Sequence, residues 1–345
     1  MDNQINRLEE TIKLIEDDSI ELKWKAIRDF IVSIDKESYY REHFKRIKRR
    51  RTREYLDEKW YDRLIYNYFV RHIHFVARKI YPDRDESTFH GPAFLSYYQE
   101  TYKRFSDELI NNWDFYDDLY KQLSDDKSRR VLVGITMGRL TGKKSYFGEV
   151  ADPVSTQYFD QEVVGHVESG ELFLDVGGFD GSSTEDFFSY SDGKVQSVSS
   201  IIYELDPKNV ETIKERFADD ARVEIRNKGL SDRKGKVYFE SGASMSTIVD
   251  YETDEQAEVV RLDDDLERTI TYMKMDVEGA EEGVLRGSKR HITNDRPRMA
   301  ICVYHKPDDI RVFYDFVNSC RSDYKFYLRQ YMPTESESVL YAIPE

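Results

Sequence analysis

Cysteine is scarce in this sequence: Cys302 and Cys320 are the only two among 345 residues, and neither belongs to a CxxC pair. That excludes a disulfide framework and a four-cysteine zinc centre, and it points to a reducing compartment. No run approaches the ~18 apolar residues of a membrane span. The opening Met1, Asp2, Asn3 and Gln4 lead straight into charged, helix-like sequence with no apolar signal core, so the expected location is the cytoplasm. An excess of positive charge is also missing, since 67 acidic residues face 52 basic ones for a formal charge of −15. General attraction to nucleic acid or to an anionic membrane is therefore disfavoured. Apolar material is not lacking: 25 Tyr, 19 Phe and 3 Trp exclude wholesale disorder, and the length suits about two domains of ~150 residues.

Glycine is rare over residues 1–125, which form the first expected domain. Ile5, Leu8, Ile12 and Ile15 recur at spacings of three and four, placing them on one helical face. Similar amphipathic stretches at 24–34, 61–80 and 94–119, with breaks at Pro82 and Gly91-Pro92, predict an all-helical N-terminal region. The opening covers about two heptads, so it packs on its own domain ahead of forming a homodimer seam. One basic segment, residues 41–53, holds Arg41, Lys45, Arg46, Lys48, Arg49, Arg50, Arg51 and Arg53. It reads as a solvated helix face, ahead of a contact for an anionic lipid, a pyrophosphate-linked substrate or nucleic acid. Val131-Leu132-Val133-Gly134, followed by Gly138, Gly142 and Gly148, reads as a connecting segment over 126–154 rather than as another helix.

From 155 to 345 short β-rich runs alternate with charged amphipathic stretches. Strand candidates at 172–176, 200–203, 223–226, 272–275 and 299–304 enclose helical patterns such as 208–217 and 281–292, the texture of a parallel α/β sheet. A ligand of such a sheet lies beyond the carboxyl ends of its strands. Two further runs, 324–330 and 339–343, read as a terminal antiparallel hairpin.

Five strings at those strand ends carry chemistry. Asp175-Val176-Gly177-Gly178-Phe179-Asp180-Gly181 takes an apolar strand into a glycine turn, where Gly177 and Gly181 let the backbone approach a ligand. The spacing is not the GxGxxG of dinucleotide sites, because residue 179 is Phe and residue 182 is Ser. An acidic Asp175 before such a turn suits a ligand with an amino group and a positive centre, as in S-adenosylmethionine. Glu204, at the end of the next strand, is placed to accept both hydroxyls of a ribose, while Asp206 before Pro207 caps the helix that follows. Gly229 and Leu230, in Asn227-Lys228-Gly229-Leu230-Ser231-Asp232, bring polar groups and flexible backbone toward an adenine. In Lys274-Met275-Asp276-Val277-Glu278-Gly279-Ala280-Glu281, Asp276 and Glu278 face the ligand crevice, Glu278 and Glu281 also complement a helix start, and Lys274 can pair with Asp276. His305 ends the fifth strand with an imidazole, the usual general base near neutral pH.

At these residues the chain resembles the FkbM-type family of S-adenosylmethionine-dependent methyltransferases, over roughly 155–345. The string from Lys274 to Glu281, with Leu285 and Gly287 following, carries most of the resemblance. Tyr203 to Pro207, Gly229 to Asp232, Leu262-Asp263-Asp264, Tyr304 to Asp309 and the closing hairpin agree with it. Phe179 departs from the family, where a small or amide residue is commoner. The resemblance implies an α/β class I fold: a seven-stranded Rossmann-like methyltransferase sheet with a terminal antiparallel hairpin, here preceded by the all-helical region. It implies S-adenosylmethionine as cofactor, contacted by Asp175, Gly177, Gly178, Phe179, Gly181, Glu204, Leu205, Gly229, Leu230 and Asp276.

The implied reaction is O-methylation, of a sugar hydroxyl in a surface glycan or of a secondary metabolite. His305 is expected to take the proton, with Asp276 or Glu278 as the competing base or orienting group. A divalent metal held by Asp276, Glu278 and Asp263 or Asp264 is the less favoured way to acidify the acceptor. The helical region is expected to supply acceptor recognition or dimerisation. The competing readings are a cofactor-binding scaffold without catalysis, and a nicotinamide dehydrogenase, weakened by the missing GxGxxG and the closing hairpin.

Overall fold

The computed structural model describes residues 4–16, 19–37, 39–40, 92–191, 197–241 and 246–345, with side chains from residue 101 onward in the helix Pro92–Asn111. The basic segment 41–53 and the stretch 61–80 lie outside the described residues. The chain divides into two compact units, one formed by Met1–Asp118 with Val133–Tyr146 and the other by Leu119–Leu132 with Phe147–Glu345. Among the described residues, no helix is long and apolar enough to cross a membrane.

The first unit is helical. Its opening helix Gln4–Leu14 buries Leu8 and Ile12, and Ile20–Ser33 buries Trp24, Ile27 and Phe30. Trp24 stacks on Trp113 with ring centroids 4.8 Å apart, and its indole N–H donates to Asp117 Oδ1 at 3.0 Å, so the ring is buried without orphaning its donor. The glycine-bearing stretch after residue 125 is not a connector but a helix, Asp126–Thr141, and every position from 131 to 140 is buried. A helix covered on all sides needs no polar face, so the period that reveals a surface helix is missing and its glycines look like breakers.

The second unit is built on eleven described strands: β1 Leu172–Val176, β2 Ser199–Tyr203, β3 Val223–Arg226, β4 Gly229–Leu230, β5 Gly235–Ser241, β6 Ser246–Val249, β7 Gln256–Val260, β8 Tyr272–Met275, β9 Arg298–Cys302, β10 Tyr324–Gln330 and β11 Ser338–Pro344. Seven of them form one sheet in the order β10-β11-β9-β8-β1-β2-β3. β3, β2, β1, β8 and β9 run parallel, and the hairpin β10–β11 is antiparallel, as expected. All five residues of β1 are buried, which is why the parallel strands read as continuous apolar runs rather than alternating ones. Under the sheet Phe173 stacks on Phe187 at 4.7 Å, with Phe159 and Tyr272 against them. Each such buried ring contributes about 1.5–3 kcal/mol of transfer free energy.

A smaller sheet, β4-β7-β5-β6, lies between β3 and β8 in the sequence. Its strands β5 and β6 are mostly half-exposed and rich in polar residues, so no apolar run announced them. The hairpin is fastened by the buried guanidinium of Arg329, which donates to Asp160 Oδ2 (2.7 Å), Asp125 Oδ2 (2.7 Å) and Ser128 Oγ (2.8 Å).

Candidate active site

The turn after β1 closes on its neighbours with no room for a side chain. Gly177 has φ +80°, its N–H donates to the Tyr203 carbonyl at 2.9 Å, and a Cβ there would fall 1.9 Å from the Asp276 carbonyl oxygen. Gly178 is nearly as tight, since its Cβ would meet Ile202 Cγ2 at 2.2 Å. Gly181, at φ +84°, releases the chain into the helix Ser182–Tyr190. Positive φ and backbone contact together demand glycine.

Asp175 is fully buried just before this turn, and its oxygens are engaged. Oδ2 accepts from Ser183 Oγ (2.5 Å) and Thr184 Oγ1 (3.0 Å), and Oδ1 accepts from Lys274 Nζ (3.1 Å). The ammonium expected to pair with Asp276 thus pairs with Asp175, and it also donates to the Gly177 carbonyl at 2.6 Å. Burial disfavours the charged lysine, yet attraction to Asp175 and Asp276 outweighs it and holds its pKa above the ordinary value. The structure corrects the expectation for Asp175: the cation beside it is the protein's own, and the carboxylate organises the turn from behind.

Glu204 follows β2 and reaches back to the same turn. Its Oε2 accepts the Phe179 N–H at 2.9 Å and its Oε1 the Asp206 N–H at 2.8 Å. Burial nevertheless pushes its pKa up, against those hydrogen bonds and the pull of Lys274. Phe179 stands in the left-handed region at φ +49° with its ring 42% exposed, an aromatic surface open beside a buried carboxylate. The carbonyls of Glu204 and Leu205 both accept from Asn227 Nδ2, at 3.0 and 3.1 Å. A Cβ on Gly229 would lie 3.6 Å from Leu205 Cβ, so this glycine packs beside Leu205, whereas Leu230 turns into the core at 3% exposure. Asp206 caps the helix Pro207–Arg216 through the Lys208 N–H at 2.9 Å, as its sequence context predicts.

Beyond β8 and β9 the loops bring acidic groups around one imidazole. His305 Nε2 lies 3.6 Å from Asp276 Oδ1 and 3.4 Å from Glu278 Oε2, and its Nδ1 lies 2.9 Å from Glu281 Oε1. The contacts are close enough for ion pairs but off the line of a hydrogen bond, leaving both ring nitrogens without a hydrogen-bond partner. Burial lowers the pKa of such an imidazole, but Glu278, Glu281 and Asp276 overcome it and hold it well above the ordinary value. Asp309, buried nearby and close to Glu281, is pushed up to about 7, chiefly by burial. Asp263 and Asp264 do not join this group. Asp263 accepts the backbone N–H groups of Arg290 and His291, and Asp264 is an exposed partner of Arg261.

Four further residues belong here. Tyr158 donates its hydroxyl to Asp276 Oδ2 at 2.9 Å, and the Tyr304 hydroxyl lies 3.3 Å from Asp276 Oδ1. Glu281, fully buried, uses Oε1 to accept the N–H groups of Val277 and Gly279. Glu337, at the start of the closing strand, is held by Gln157, and its pKa is raised by burial and by Asp276. Tyr304 sat inside a recognised string without a role, and Glu281 with only that of complementing a helix start. Tyr158 is 118 residues from its partner, and no local pattern signals such a contact. Among the described residues six non-glycine positions have positive φ, and Tyr158, Phe179, Glu278 and Glu337 are four of them. Unfavourable backbone is thus concentrated in the loops of this one edge.

With this geometry the comparisons with known proteins agree. The sequence model of the methyltransferase FkbM domain matches residues 175–327. The solved structure of methyltransferase FkbM from Methylobacillus flagellatus KT superposes with a TM-score of 0.61 at 25% identity, covering 69% of this chain and 60% of that one. This chain therefore spans less than two thirds of that protein. An rRNA methylase described as putative from Clostridium thermocellum (TM-score 0.36, 10% identity, 52% and 90% covered) and Aeropyrum pernix fibrillarin solved with natively bound S-adenosyl-L-methionine (0.35, 11%, 51% and 67%) are more distant. No curated protein matches the chain. The domain match falls on the strands that carry the glycine turn, Glu204 and the Asp276 loop, and over those residues the chain is similar to the FkbM-type methyltransferase domain.

Proposed function

We propose that this chain is an S-adenosylmethionine-dependent O-methyltransferase, with the hydroxyl acceptor bound at the loops that carry Asp276, Glu278 and His305. The carrying observation is Glu204: a buried carboxylate at the end of β2, tied to the backbone of a turn whose Gly177 and Gly178 admit no side chain, with β1 between it and the β8 loop of an acid and imidazole cluster. The residues present fit the cofactor. Glu204 offers remaining lone pairs to ribose hydroxyls, Gly177, Gly178 and Gly181 keep side chains out of its path, and the exposed ring of Phe179 gives a flat apolar face. Leu205 and Gly229 form the wall on the adenine side.

When bound, the cofactor supplies a methyl group on a positively charged sulfur, open to in-line displacement by an oxygen nucleophile. The protein's task is then positioning and proton removal. Asp276, fixed by Tyr158 and Tyr304, orients the acceptor hydroxyl. Glu278 takes the proton, because its described contact is the His305 ring, whereas Asp276 receives tyrosine hydroxyls and Glu281 receives backbone N–H groups. His305 keeps positive charge beside the oxygen as it becomes negative. We assign the acceptor to sugar hydroxyls of a surface glycan on the family resemblance, with a secondary-metabolite hydroxyl as the second substrate class. Acceptor recognition is assigned to the helical region.

Calorimetric titration with S-adenosylhomocysteine and, separately, with NADH tests this reading on the wild type and on Glu204→Ala. One-site binding of S-adenosylhomocysteine that weakens at least ~10-fold in the variant is expected, because a charge-assisted hydrogen bond is worth about 1.5–3 kcal/mol. Binding of NADH in its place would overturn the reading in favour of a dehydrogenase. Binding without turnover of any hydroxyl acceptor would support the non-catalytic scaffold.

A further inference from the structure

The group around His305 is arranged as a ligand set. One donor atom from each of Asp276, Glu281 and His305 lies within 4.8 Å of the other two. A first-row metal ion with bonds of about 2.0–2.2 Å places its donors about 3–4 Å apart, so closing on an ion needs only small side-chain movements. The three residues come from three adjacent places at the carboxyl edge: Asp276 follows β8, Glu281 opens the helix Glu281–Gly287, and His305 follows β9.

An acidic cluster alone would not be a site, and here a separate observation points to a ligand. The His305 side chain is 10% exposed, both of its nitrogens face carboxylates, and among the described residues neither has a hydrogen-bond partner. Glu281 is 0% exposed, and its Oε2 is also without a partner among the described residues. Buried polar atoms are rarely left unsatisfied in a folded protein unless something else meets them. The charge points the same way, because Asp276, Glu278 and Glu281 surround a single imidazole. The outer contacts are those that fix metal ligands: tyrosine hydroxyls hold Asp276, and the Val277 and Gly279 N–H groups hold Glu281.

We propose that Asp276, Glu281 and His305 bind a divalent transition-metal ion. Two carboxylate oxygens with one imidazole nitrogen suit manganese, iron or zinc better than calcium or magnesium, which favour all-oxygen shells. Glu278 stays outside the ligand set and free to take a proton. The site stands without the methyl-transfer reading; if both hold, His305 is neutral and the ion takes over the positive charge beside the acceptor oxygen, lowering that hydroxyl's pKa.

The test uses the full chain, freed of metal by a chelator, and MnCl2 alone, with no cofactor or acceptor present. Calorimetry is expected to give one Mn2+ per chain, with affinity lowered at least ~10-fold in His305→Gln and in Glu281→Gln and unchanged in Asp264→Asn, whose carboxylate is exposed elsewhere. Pulsed electron paramagnetic resonance of the bound Mn2+ is expected to show coupling to an imidazole nitrogen that disappears in His305→Gln. Circular dichroism of each variant without metal checks folding, and two ligand variants guard against the failure of either. No saturable Mn2+ binding by the wild type, or unchanged affinity in both ligand variants, overturns the site. S-adenosylhomocysteine binding, measured separately, reports on the methyltransferase reading and moves independently.

Discussion

Lys274 and Asp175 occupy one register position across β8 and β1, and their side chains meet there, ammonium to carboxylate at 3.1 Å with both residues buried. The lysine also holds the Gly177 carbonyl, so one cation ties together two strands and the turn between sheet and ligand. Lys274→Met strands a buried carboxylate, and a loss of about 3–5 kcal/mol of folding stability is expected. Urea denaturation with far-ultraviolet circular dichroism measures it; a loss under about 1 kcal/mol would show that Ser183 and Thr184 satisfy Asp175 by themselves.

Gly177→Ala puts a methyl group against the Asp276 carbonyl at a backbone angle that L residues rarely adopt. The turn has to move, and with it the Phe179 N–H that Glu204 holds. S-adenosylhomocysteine affinity is expected to fall by ~100-fold or more, with the far-ultraviolet spectrum retained. Near-native affinity would mean that the turn does not touch the cofactor.

Tyr158→Phe removes one hydroxyl from Asp276 and little volume. A hydrogen bond to a carboxylate contributes about 1.5–3 kcal/mol, which is roughly 10- to 100-fold in rate if Asp276 orients the acceptor. The expected pattern is a reduced kcat with S-adenosylhomocysteine affinity unchanged. A change in cofactor affinity with kcat intact would place Tyr158 at the other end of the site.

Because burial raises the Glu204 pKa above its ordinary 4.5, the carboxylate that ribose requires is complete only above that raised value. Cofactor affinity should therefore decline as pH falls through the raised pKa, sooner than an exposed glutamate would allow. Glu204→Gln should bind weakly with no such decline. Titrations between about pH 8 and about pH 5 decide it, and parallel declines in both proteins would assign the effect to another group.

Much of the carboxyl edge of the sheet was legible in the sequence. The strand-to-glycine turn, Glu204 and the Lys274–Glu281 string are local patterns, because backbone turns and strand ends are written in neighbouring residues. The closing hairpin was legible for the same reason. The buried helix Asp126–Thr141 was not, since packing on all sides erases its period. Nor was the small sheet, whose half-exposed β5 and β6 carry no apolar run. The partners of Asp175 and Asp276 were misassigned or missed because a strand crossover decides them: Lys274 faces Asp175 through parallel register, and Tyr158 arrives from 118 residues away.

Arg329 ties the edge of the large sheet to carboxylates made long before it. Its guanidinium joins Asp125, 204 residues earlier, to the strand that carries it. Until β10 has left the ribosome, Asp125 and Asp160 lack the guanidinium that joins them, and until β11 follows, β9 has no neighbour on its outer side. At about 5–20 residues per second the stretch from the end of β9 to the end of β11 takes about 2–8 seconds to make. The bare flank of β9 is then a strand edge open to other chains, so a nascent-chain chaperone would be expected to act on this protein before β11 emerges rather than after.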